Sequence, residues 1–90
     1  MIEYKNIENG IIVDCSTYHF GPFSVVVFLE SNPDDLEEEY TFYLRHKKYC
    51  VMKYMFTMKA YDINAAAEIA YANAPEYIPD FIKECFAENE

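Results

Sequence analysis

Ninety residues suffice for one hydrophobic core and are too few for two, and 52% hydrophobic with 18% aromatic content excludes intrinsic disorder despite a net charge of −9. The longest apolar stretch, Val25 to Leu29, is too short to cross a bilayer, and the N-terminus lacks the basic segment and long apolar run of a signal peptide. Three widely spaced cysteines (Cys15, Cys50, Cys85) fit reduced thiols better than a disulfide framework, so a single cytoplasmic domain over residues 1–90 is expected.

The first elements read as a β-hairpin over residues 2–17. Asn9-Gly10 is the hairpin signal, because both turn positions favour a positive φ. A two-residue loop there pairs Glu8 with Ile11, Ile7 with Ile12 and Lys5 with Asp14. Ile2, Tyr4, Val13 and Cys15 then face inward, while Glu3, Lys5, Asp14 and Ser16 face water. His19-Phe20-Gly21-Pro22 breaks the pattern as a turn. Phe23 to Glu30 is β-branched and apolar on both faces, which predicts a central strand over 23–30.

Ser31 to Glu39 reads as a loop, with Asn32-Pro33-Asp34-Asp35 suited to a single helical turn. A second hairpin covers residues 40–60. In its first strand Tyr40, Phe42 and Leu44 share a face; in its second, Cys50, Met52, Tyr54, Phe56 and Met58 lie opposite Val51, Lys53, Met55, Thr57 and Lys59. Asp62 or Asn64 caps a helix over 65–73 that Ala74-Pro75 ends. A second helix over 77–87 carries Ile78, Phe81, Ile82, Cys85 and Phe86 as an apolar stripe. The class is α+β: an antiparallel sheet of about five strands with two C-terminal helices packed on one face.

The charge is sorted along the chain. Met1 to Leu44 sums to −8, Arg45 to Ala60 to +5, and Tyr61 to Glu90 to −6. Such a field concerns partners, not fold. The acid run Asp34, Asp35, Glu37, Glu38 and Glu39 has two readings that both stay open: a solvated loop that deters edge pairing, or an anionic knob for a basic protein groove. A calcium loop would need spaced ligands around a central Gly, which are missing. Arg45, Lys47, Lys48, Lys53 and Lys59, close to Tyr43, Tyr49 and Tyr54, resemble in chemistry a single-stranded nucleic-acid site, with charge for phosphates and rings for bases. The alternative there is a solvated strand face whose cations balance the acids.

The cysteines lack the C-x₂₋₄-C spacing of a zinc site and fall on inward faces, so buried thiols are expected, with no metal and no cofactor. Cys15 and His19 have no third orienting group, and no phosphate loop or catalytic triad is readable, so no enzyme activity is expected.

The opening M-I-E-Y-K-N-I-E-N-G and the short acidic chain resemble small accessory proteins of bacteriophages and mobile elements, and among those the profile is similar to anti-CRISPR proteins. The resemblance implies a non-enzymatic inhibitor, in a bacterial host cell, that blocks a nucleic-acid-handling partner by occupying its basic surface. No functional residues carry over from it. On charge, the expected partner-binding set is Asp34, Asp35, Glu37, Glu38 and Glu39, joined by the carboxylates Glu68, Glu76, Asp80, Glu84 and Glu88, with Tyr40 and Tyr43 as aromatic anchors. An alternative face, for self-pairing in a homo-oligomeric module or for single-stranded nucleic acid, is Arg45, Lys47, Lys48, Tyr49 and Lys53. A small-ligand pocket between sheet and helices also stays open.

Overall fold

A computed structural model describes residues 2–18, 21–30, 38–46 and 51–86. Five strands, β1 (Tyr4–Ile7), β2 (Gly10–Tyr18), β3 (Gly21–Glu30), β4 (Glu38–His46) and β5 (Val51–Ala60), precede one helix, α1 (Ile63–Phe86). The strands pair antiparallel in sequence order, β1-β2-β3-β4-β5, as an open meander. The expected sheet of five antiparallel strands is therefore present.

The first hairpin turns one residue earlier than the Asn-Gly signal implies. Ile7 pairs with Gly10 and Lys5 with Ile12, so Glu8 and Asn9 form the turn and Asn9 takes the positive φ of 63°. Lys5 therefore does not oppose Asp14. The slip is two residues in register, an even number, so Val13 and Cys15 stay inward and Glu3, Lys5 and Asp14 stay outward. Gly10 serves a different purpose from the one its turn signal implies. A Cβ there would collide with the backbone carbonyl oxygen of Val27 on β3. The absent side chain lets the two strands approach at the point where the Leu29 N–H donates to the Asn9 carbonyl at 2.6 Å.

Gly21 and Pro22 begin β3 opposite Tyr18 and Thr17; His19 and Phe20 of the expected turn lie outside the described residues. β3 is buried on both sides, with Phe23, Val25 and Val27 facing α1 and Ser24 and Val26 on the other face. Glu38 and Glu39 belong to β4, not to a loop; they oppose Ala60 and Lys59.

Unbroken alternation along β5 is interrupted by a bulge. Phe42 pairs with Phe56 but Tyr43 pairs with Tyr54, which leaves Met55 as the extra residue. Met55 is buried against the core. Residues before the bulge change faces, so Tyr54 and Met52 lie opposite to Phe56 and Met58.

The expectation of two helices is corrected to one. Pro75 and Pro79 both lie inside α1. Both rings are exposed, so the carbonyls they leave unpaired (those of Tyr71 and Pro75) fall on the outer side. On the inner side, Ala66, Ala70, Ala74, Ile78 and Phe81 form a continuous buried stripe across both prolines. Burial of that stripe holds one helix together where local propensity predicts a break. Asp62 is the N-cap, its Oδ1 accepting the Ala65 N–H at 2.9 Å. Asn64 instead accepts a hydrogen bond from the Tyr4 hydroxyl at 2.5 Å.

α1 crosses one face of the sheet from edge to edge. Tyr4 of β1 bonds its start, and Lys53 of β5 pairs with Glu84 near its end at 2.6 Å. Small alanines at 66, 67, 70 and 74 allow close approach, and Phe81 meets the Phe23 ring edge-on at 5.6 Å. Fully buried Tyr40, Phe42 and Leu44 complete the core.

Candidate functional site

The residues expected to bind a partner are separated by the fold. Asp34, Asp35, Glu37, Lys47, Lys48 and Tyr49 lie outside the described residues. Tyr40 is no surface anchor. It is fully buried under α1, and its hydroxyl donates to the Glu38 carboxylate. Burial first, then the hydrogen bond and charge of Glu38 and the charge of Asp62, push its phenol well above the usual range. Tyr43 is half-buried on the opposite face of the sheet, so Tyr40 and Tyr43 cannot contact one ligand together. Lys53 faces α1 and is ion-paired there, whereas Arg45 lies on the far face. The strand alternation already separates Tyr40 from Tyr43, but the inward side of Tyr40 becomes legible only once the helix is placed.

Two exposed surfaces remain. The first is the outer side of α1. Glu68, Glu76, Asp80 and Glu84 are all exposed there, with Lys83 the one exposed cation of this helix among the described residues. Glu76, Asp80 and Glu84 follow at four-residue intervals, so a rise of 1.5 Å per residue sets consecutive carboxylates about 6 Å apart along the axis. Glu84 is engaged by Lys53, and Lys83 stands one turn beyond Asp80, which leaves Glu68 and Glu76 farthest from any cation of this helix. Two exposed aromatic rings lie toward the start of the helix. Tyr71 is 45% exposed one turn beyond Glu68, and Tyr61, 78% exposed, precedes the cap. Sequence reasoning missed both, although the i, i+3 spacing of Glu68 and Tyr71 is visible in the chain.

The second is the sheet face away from α1, exposed along β5 and buried at Ser24, Val26 and Thr41 in its centre. Its centre is an aromatic ladder: Phe28 to Tyr43 at 5.7 Å and Tyr43 to Tyr54 at 5.8 Å, both edge-to-face. Tyr54 is 54% and Met52 49% exposed, and the Tyr54 hydroxyl is hydrogen-bonded to that of Thr57 at 2.9 Å. The Met55 bulge puts Tyr54 and Met52 on this face. At the β1–β2 end the face dips into an open groove of about 320 Å³ lined by Glu3, Tyr4, Lys5, Ile12 and Asp14.

Chemistry-bearing residues elsewhere are built into the core. Cys15 is buried and its thiol points to the Val13 carbonyl oxygen at 3.7 Å. His46 is buried edge-on to Phe23 at 4.9 Å. Among the described residues, no three His, Cys, Asp or Glu side chains gather as a metal site would require, and no helix is long and apolar enough to cross a membrane.

No protein-family model matches the chain, and neither a curated protein nor a solved structure matches it.

Proposed function

We propose that the protein is a non-enzymatic binding protein that blocks a nucleic-acid-handling partner, with the outer side of α1 standing in for a row of phosphates. One observation supports this reading above the others: Glu68, Glu76 and Asp80 are all exposed on the outer half of α1, where Lys83 is the one cation among the described residues. Along the helix axis Glu76 and Asp80 are about 6 Å apart, within the Debye length of ~8 Å at physiological salt, so a basic groove meets their summed field. That field steers encounter, and desolvation of Tyr71 and Tyr61 contributes affinity once contact is made. Similarity to anti-CRISPR proteins makes a Cas effector the first partner class to test.

The experiment is a pull-down from bacterial host lysate with the wild-type chain and with Glu68→Lys/Glu76→Lys/Asp80→Lys. The reading expects a nucleic-acid-binding protein that added DNA displaces and that the variant does not retain. Equal retention by the variant, or a partner that DNA does not displace, would refute it.

A further inference from the structure

We propose that the sheet face away from α1 pairs with the same face of a second copy of this chain, as a two-fold sandwich. The area sets the strength to expect. Five strands spaced at ~4.8 Å and a paired length of about eight residues at ~3.3 Å each give a face of roughly 600 Å² before side-chain relief. A standard stable interface buries about 800 Å² of accessible surface per partner, so this face, shortened further by the four residues of β1, fits a weak dimer at the small end of specific interfaces. Two such faces stack at ~10 Å, the spacing of an ordinary β-sandwich.

Two rows of this face complement their own image, whereas Glu30, at the end of the central strand β3, meets its own copy. One row runs Asp14, Ser24, Arg45, Met52 across β2, β3, β4 and β5, with Glu3 beside Asp14 at the β1 edge. The next runs Lys5, Ile12, Val26, Tyr43, Tyr54. A two-fold axis parallel to β3 lays β1 over the second copy's β5 and β2 over its β4. Asp14 of each copy then meets Arg45 of the other, twice by symmetry, and Lys5 meets the ring of Tyr54. Val26 and Ser24, already buried in the single chain, lie under the axis. The contact is made by the flanking Ile12, Phe28, Tyr43, Tyr54 and Met52, an apolar centre inside a charged rim.

A single-stranded nucleic acid fits this face less well. Glu3, Asp14, Glu30 and Glu39 share it with Lys5, Arg45 and Lys59, so a phosphate chain meets at least as many carboxylates as cations. The Tyr43 and Tyr54 rings also pack edge-to-face with each other, which hides part of the ring surface that a base would stack on.

Sedimentation equilibrium of the full chain over micromolar to submillimolar concentrations tests the proposal, with circular dichroism of each variant as the check on folding. Wild type is expected to dimerise, Tyr54→Glu to be monomeric, and Arg45→Asp to weaken the dimer about tenfold or more. Adding Asp14→Arg to Arg45→Asp is expected to restore it, a recovery that misfolding cannot imitate. A wild-type monomer throughout, a dimer that survives Tyr54→Glu, or no recovery in the double swap overturns the proposal. So does a monomer that binds labelled single-stranded oligonucleotide through Tyr54.

Discussion

Replacing Pro75 by Ala is expected to stabilise this protein. Proline in a helix interior removes one N–H donor, crowds the preceding turn, and costs about 3 kcal/mol relative to Ala. In α1 the donor lost at Pro75 is the one that would serve the Tyr71 carbonyl, while the next turn back is intact, with the Asn73 amide also reaching the Ile69 carbonyl at 2.8 Å. Pro75 is exposed, so water satisfies part of the Tyr71 carbonyl's need and the substitution touches no core contact. The expected gain is therefore about 1–2 kcal/mol, less than the full interior cost. At about 4–8 °C per kcal/mol for a domain of this size, the melting temperature should rise by roughly 5–15 °C, with a deeper helical dichroism minimum. Thermal melts followed at 222 nm read both quantities. An unchanged or lower melting temperature would refute the reasoning, because it would mean that the chain breaks at Ala74-Pro75 in solution and that the buried stripe from Ala66 to Phe81 is not carried by one helix.

Gly10→Ala is expected to lower stability by about 2–3 kcal/mol, since the new Cβ would have to push β2 from the Val27 carbonyl; a thermal melt within a few degrees of wild type would contradict the hairpin register. Tyr40 supplies a pH dependence. Its phenol titrates higher in the folded chain than its ordinary value of 10.0, so its contribution is complete below that pH and is lost as the pH climbs beyond it. Urea unfolding between pH 8 and 11 should show a shallower alkaline decline in Tyr40→Phe than in wild type, together with a loss of about 1 kcal/mol at neutral pH from the missing bond to Glu38. Identical alkaline slopes would remove Tyr40 from the account.

How far the chain could be read in advance follows from which interactions are local. Binary patterning is local, and it is enough for the five strands, for the inward set Ile2, Val13 and Cys15, and for the stripe containing Ile78 and Phe81. Register depends on a third strand. Asn9-Gly10 reads as an isolated turn until β3 approaches, and only then does Gly10 have a steric reason to sit one position later. The Met55 bulge is likewise a compromise among β4, β5 and the core, with no Gly or Pro to announce it, and it moved Tyr54 from the expected inner face to the outer one. Pro75 and Pro79 carry a strong local signal for a break, which tertiary burial of Ala74 and Ile78 overrode. The candidate site changed accordingly. Its acids on α1 were legible as charges, but their alignment on one helix needed that helix to be continuous, and the change of anchors from Tyr40 to Tyr71 and Tyr61 needed the core to be built first.

The claim that the outer side of α1 recognises a basic partner is tested most directly by the ionic-strength dependence of association. Once a partner is captured, its association rate with wild type and with Glu76→Lys/Asp80→Lys should be measured over a salt series. The account predicts a rate that falls steeply with salt for wild type and a slower, nearly salt-independent rate for the variant. Parallel salt slopes for the two proteins would contradict it.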